Sequence, residues 1–157
     1  MANSQAICGS FKSEVMLGLH QLGSTTIVSR GSLTSPTTDT LFAALYLASG
    51  SLGAGTTAYS ATSEVSGTGY TAGGQSVTNA TAPSTSGTTG IWTPSASLVW
   101  GPPVTLTTAF DTCLIYNSTQ SNRAIGVYTF GSQTITAGTF TLTMPTNDAT
   151  HALIQLA

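Results

Sequence analysis

The sequence predicts a mainly β fold, an antiparallel β-sandwich or barrel-like domain with one N-terminal α-helix. Three observations carry that expectation. In Thr139-Phe140-Thr141-Leu142-Thr143-Met144 the hydrophobic period is two without exception, so Phe140, Leu142 and Met144 point to one face and the threonines to the other. A buried helix cannot carry that alternation. From Thr105 to Pro145 short apolar and threonine segments are cut by glycine and asparagine turns, at the spacing expected of a sandwich or barrel. Near the N-terminus the period changes, and Ile7, Phe11, Val15, Leu19 and Leu22 recur every three or four positions, as on one stripe of a helix.

Taken in order, the helix is expected over residues 4–22, with Ser4 as its N-cap and Gly23 as its C-terminal stop. Gly9 and Gly18 inside it each cost roughly 1 kcal/mol relative to alanine. The stripe therefore needs a partner surface, its own sheet or another subunit. Gly23 to Asp39 reads as an irregular or strand-like connection. Thr40 to Ala48 reads as a buried strand, with a helix as the alternative because Leu, Ala and Phe do not discriminate. Ser49 to Gly90 is dominated by Gly, Ser, Thr and Ala, a composition that also suits low-complexity disorder. The isolated anchors Tyr59, Val65, Tyr70 and Val77, and the turn glycines Gly67, Gly69, Gly73 and Gly74, predict instead a long ordered loop with one or two short strands. Trp92 and Trp100 then flank a proline-containing loop, and Pro102-Pro103 is expected to block a ladder. Strands follow over Thr105 to Thr108, Phe110 to Tyr116, Ala124 to Phe130, Gln133 to Thr136 and Thr139 to Met144. Asn117 to Asn122 reads as a hairpin loop, Ala137-Gly138 as a turn, and His151 to Leu156 as a closing strand. No repeat of fixed period stands out, and residues 1–157 are expected to form a single domain.

Charge is the strongest compositional constraint. Only 5% of the residues are charged, against about 25% in a soluble globular domain. Three cations on a net charge of -2 cannot supply a basic stripe, so no nucleic-acid partner is expected. The polar surface must consist mainly of hydroxyls, supplied by 30 threonines and 20 serines. Such a surface repels identical copies weakly and permits dense packing of subunits. No cleavable leader is expected, because Lys12 and Glu14 interrupt the first apolar run. The longest apolar run, Leu41 to Ala48, is about a third of a bilayer span, so no membrane partner is expected.

Candidate chemistry is thin. Cys8 and Cys113 are distant and lack metal-ligand spacing, so free buried thiols are expected, with a long-loop disulfide as the alternative. His20 and His151 have no nearby ligand partners, and no metal or cofactor is expected. Gly-x-Ser-x-Gly is absent, Asp111 and Asp148 read as single turn acids, and Gly73-Gly74 lacks a phosphate loop's lysine. No catalytic residue is assigned. Trp92 and Trp100 could stack on sugars or serve as core anchors. Asn79-Ala80-Thr81 and Asn117-Ser118-Thr119 match glycosylation acceptors, read as incidental in so threonine-rich a chain. Ile7, Phe11, Val15, Leu19, Leu22, Trp92 and Trp100 are the candidate interface residues.

Three segments together resemble a known group. They are Ser10-Phe11-Lys12 to Leu19-His20; Asp39 to Gly74, with its block Glu64-Val65-Ser66-Gly67-Thr68-Gly69-Tyr70-Thr71-Ala72-Gly73-Gly74; and Leu114-Ile115-Tyr116-Asn117 through Phe130-Gly131 and Thr136-Ala137-Gly138-Thr139-Phe140 to Pro145. They are similar to small structural proteins of tailed bacteriophages, a group that includes capsid decoration, or cement, proteins. Ala82 to Pro103 departs from the pattern. The resemblance implies a non-enzymatic virion component on the capsid surface, assembled in the host cytoplasm, with the major capsid protein and further copies of itself, as a trimer, for partners. A tail, neck or head-fibre protein that contacts the host surface is the competing expectation, followed by a carbohydrate-binding module and a hydrolase.

Overall fold

The computed structural model describes residues 2–16, 18–23, 38–78 and 80–157. The connection expected between Gly23 and Asp39 lies, apart from its ends, outside these residues, as does Asn79. Strand β1 (Ala6–Ile7) and helix α1 (Gly9–Met16) open the chain, followed by β2 (Leu41–Leu47), β3 (Gln75–Ser76), β4 (Ser84–Ser86) and β5 (Thr89–Trp92). The long strands β6 (Leu98–Asn117) and β7 (Arg123–Leu142) come next, and β8 (Ile154–Leu156) closes the chain. The described residues form two antiparallel sheets, one of five strands in the order β1-β7-β6-β2-β3 and one of three in the order β4-β5-β8. The architecture is mainly β and sandwich-like with one short helix, as the alternation predicts.

Strand β2 shows why its sequence does not alternate. It lies between β6 and β3, with Leu41 opposite Asn117 and Phe42 opposite Ser76. Leu41, Ala43, Ala44, Leu45 and Tyr46 are all buried, so no side of the strand needs a polar set. At the far end of β7 one face is open, and the predicted alternation is realised. Phe140, Leu142 and Met144 are half-buried while Thr139, Thr141 and Thr143 are exposed. Phe140 packs against Trp100, Phe110 and Phe130, with ring centroids 5.7, 5.0 and 5.3 Å away. Trp92 and Ile154 of the small sheet belong to the same cluster of buried side chains as Leu114 and Ile125 of the large one.

The helix is shorter than its periodicity predicts, and both ends have a local cause. Ile7 is drawn into a ladder opposite Gly126, and the N–H groups of Cys8 and Gly9 donate to the Ile125 and Ala54 carbonyls at 3.1 and 2.9 Å. Ser4 is therefore not the N-cap; its N–H donates to the Leu52 carbonyl at 2.8 Å. At the other end Gly18 has φ +70° and donates to the Val15 carbonyl at 3.0 Å, while Leu19 donates to the Glu14 carbonyl at 3.0 Å. That pair of bonds is a Schellman closure with glycine in the left-handed position, so Gly18 and not Gly23 stops the helix.

Two further expectations are corrected. Pro102-Pro103 does not end a strand: β6 runs through them, and the ladder steps from Trp100 opposite Phe140 to Val104 opposite Gly138. The prolines sit in a bulge, where the absent N–H removes no ladder bond. Ala137-Gly138 is likewise a bulge inside β7 rather than a turn, with Ala137 at φ +48° and its N–H bonded to Thr105 Oγ1 at 2.9 Å. The true reversal between β6 and β7 lies where the sequence places it, with Ser121 and Asn122 at φ 55° and 59°.

The glycine-rich stretch is ordered by one carboxylate. Glu64 Oε2 accepts from the Tyr59 hydroxyl at 2.6 Å, and Oε1 accepts from the Tyr70 hydroxyl at 2.8 Å and the Gly73 N–H at 2.7 Å. Tyr70 Oη in turn accepts from the Leu45 N–H at 3.0 Å, and the Tyr116 hydroxyl donates to the Gly73 carbonyl at 2.8 Å. Burial, then the bond and charge of Glu64, push the Tyr59 hydroxyl up to about 12, so it stays a donor. Replacing Glu64 with alanine leaves three partly buried donors without their acceptor, and we expect a loss of about 2 kcal/mol in urea denaturation. A loss below about half a kcal/mol would show that the carboxylate does not organise the loop.

Candidate functional site

Four of the seven candidate interface residues come together. Phe11 and Val15 of α1 and Leu22 beyond it face Ile91 and Trp92 of β5 and Ile154 of β8 across a groove of about 280 Å³. Ser84, Gln21 and His20 are among its few polar lining groups. The volume lies just under the roughly 300–1,000 Å³ of pockets that enclose a small molecule. Its lining suits an apolar group. Leu156 lines the groove and is 47% exposed, while Met16, at the end of α1, is 82% exposed.

The other three are dispersed. Ile7 is half-buried in the β1 ladder, Leu19 is half-buried past the helix stop, and Trp100 is buried against Phe140. Both tryptophans are enclosed in the protomer, Trp92 with its indole N–H donating to the Thr81 carbonyl at 3.0 Å. Their faces are therefore not available as a sugar-stacking platform.

Beside the groove lies a polar cluster that the sequence reading does not contain. Glu14, buried on α1, accepts from Arg123 through Oε1 and from His20 Nε2 at 2.8 Å through Oε2. The His20 side chain is 1% exposed, and its ring lies 4.9 Å from that of Phe11. Its Nδ1 meets Asn117 Nδ2 at 3.0 Å, and the same Nδ2 donates to Asp39 Oδ2 at 2.6 Å. Asp39 also accepts from the Gln21 N–H at 2.9 Å and from Gln120 Nε2 at 3.3 Å. Burial raises the Glu14 carboxyl, but the bonds from His20 and Arg123 outweigh it and hold the group below its usual range. The cluster ties α1, the segment after it, the entry to β2 and the β6–β7 reversal to one another.

A general base must face the proton it removes, and both His20 nitrogens are taken up by Glu14 and Asn117. Cys8 is a buried free thiol, pushed up to about 11 by burial and then by Glu14, so it stays protonated. Cys113, also free, is pushed up to about 12 by burial. Among the described residues no three His, Cys, Asp or Glu side chains group as metal ligands, and no helix is long and apolar enough to cross a membrane. His151 and Asp148 form a local turn, in which bonds from Thr146, His151 and Thr150 hold the Asp148 carboxyl well below the usual range. Asn117 is fully buried and hydrogen-bonded, so its acceptor motif is closed to glycosylation in the folded chain.

Sequence reasoning missed the cluster because its members come from four segments with no shared spacing. Glu14 and His20 are six positions apart, which is not a helical neighbour distance. The one available signal was Glu14 itself, an acid in line with Phe11 and three positions along an apolar stripe, where an unpaired carboxylate would not persist. No family model matches the chain, and neither does any curated protein or solved structure.

Proposed function

We propose that the chain is a non-enzymatic structural subunit of a phage virion, a decoration protein that binds the outside of the capsid and stabilises it. The observation that carries this reading is where the charge goes. Among the described residues Glu14, Asp39, Glu64 and Asp111 accept internal hydrogen bonds and the half-exposed Arg123 donates to Glu14; the other formal charges are Lys12 and Asp148, the latter bonded within its own turn. From Ala124 to Asn147 there is no charged residue at all, and the exposed side of β7 carries threonines. Such a surface packs against copies of itself or a repetitive shell at small Coulomb cost. The resemblance of the three segments to phage structural proteins supports the same reading.

Assembly as a homotrimer over several capsid subunits would multiply modest contacts, because after the first the rest are effectively intramolecular. The test is to mix purified protein with undecorated capsids, follow co-sedimentation, and measure the free protein's mass by light scattering. We expect a trimer that sediments with the capsids and raises their resistance to heat. A monomer at high concentration that stays in the supernatant would contradict the proposal.

A further inference from the structure

The orientation of every donor in the polar cluster can be assigned, because it is pinned from both ends. Asn117 Oδ1 accepts from the Gln120 N–H at 3.1 Å, so its Nδ2 must be the atom facing Asp39 and His20. An amide nitrogen only donates, so His20 Nδ1 must accept and therefore carries no proton. The ring proton then sits on Nε2 and points at Glu14. The chain of bonds runs in one direction, from the Asn117 amide through a neutral imidazole to the Glu14 carboxylate. Asp39 receives the second amide proton.

We propose that His20 is a pH-sensitive latch that joins the end of α1 to the β6–β7 reversal only while its imidazole is neutral. A proton on Nδ1 would set two donors against each other inside the protein. Relief requires Asn117 to turn over or leave, and turning over strands the Gln120 N–H and sets the amide oxygen against the Asp39 carboxylate. The charged groups of the cluster around the ring, among the described residues, are Glu14 from α1, Arg123 from β7 and Asp39 ahead of β2, with the Cys8 thiol near enough to Glu14 to feel its charge. Opening the latch releases the residues that follow α1 and loosens the His20 side of the groove over Phe11. This inference does not depend on the proposed virion role.

The test uses the whole chain labelled with 15N. At neutral pH the imidazole spectrum is expected to show His20 protonated on Nε2 alone. On acidification from neutral pH the amides of Leu19, Gln21 and Gln120 should lose protection against hydrogen exchange by about tenfold or more beyond the intrinsic pH effect. His151→Ala should respond in the same way, and His20→Gln, which has no titrating ring, should not. Should His20→Gln fail to fold, the tautomer and exchange measurements on wild type and His151→Ala decide the matter. A proton on Nδ1 at neutral pH, unchanged protection on acidification, or an equal response in His20→Gln would each overturn the latch.

Discussion

Phe11→Ala is expected to destabilise the protein by about 3–4 kcal/mol, within the range measured for removing a buried aromatic ring. Phe11 is 0% exposed and is the largest apolar side chain that α1 buries. An eight-residue helix has too few internal bonds to persist in water alone, so α1 exists because this ring anchors it. The same ring packs on His20 and forms a wall of the groove facing Trp92. Truncation therefore loses the transfer term of the ring and leaves a void continuous with that groove. Because water can reach this void, the cost falls short of the upper end of the range. Urea denaturation followed by tryptophan fluorescence measures it. A loss within about half a kcal/mol would show that the helix is not held by its Phe11 face.

Gly74→Ala is expected to be more severe, above about 4 kcal/mol, so that the variant does not accumulate as folded protein. Gly74 has φ +77°, a region that residues with a Cβ rarely enter. A Cβ there would overlap the Ala43 carbonyl oxygen and approach Ala44 Cα at 2.7 Å, inside the 3.0 Å that real Cβ atoms keep. Both obstacles are backbone of β2, which is buried between neighbouring strands and has no rotamer with which to move away. Gly55 provides the contrast, since nothing lies within 4 Å of a Cβ built on it. Gly55→Ala should change stability by no more than about half a kcal/mol. Soluble yield and circular dichroism of the two variants make the comparison, and a stable, well-folded Gly74→Ala would contradict the packing of the glycine-rich loop onto β2.

What was legible in the sequence follows from the range over which each interaction acts. The alternation at Thr139 to Met144 and the reversal near Asn122 are set by neighbouring residues, and both were readable. The helix boundaries were not. Ile7 and Leu22 reach the core from a strand and from post-helical chain, Leu19 is half-buried past the helix stop, and their three- and four-residue spacing imitates a continuous stripe. By its spacing the sequence places Gly18 inside the helix and Gly23 at its stop, because which glycine meets the last helical carbonyls is not set by local sequence. Bulges at Gly101 to Pro103 and at Ala137 depend on the register of β6 against β7, which no short window contains. The groove was half visible, since Phe11, Val15, Leu22 and Trp92 were singled out for other reasons. The cluster around His20 needed the three-dimensional meeting of Glu14, Asp39, Asn117 and Arg123. Once the fold provides that meeting, the hydrogen-bond inventory alone fixes the tautomer.

The proposed role has the chain act through repeated, nearly uncharged contacts rather than through chemistry at a site. Its most direct measurement is the amount and position of the protein in purified particles, by quantitative mass spectrometry and electron cryomicroscopy. The account predicts a fixed ratio to the major capsid protein and density distributed over the outer face of the head. A few copies confined to the tail or neck, or none in the particle, would contradict it.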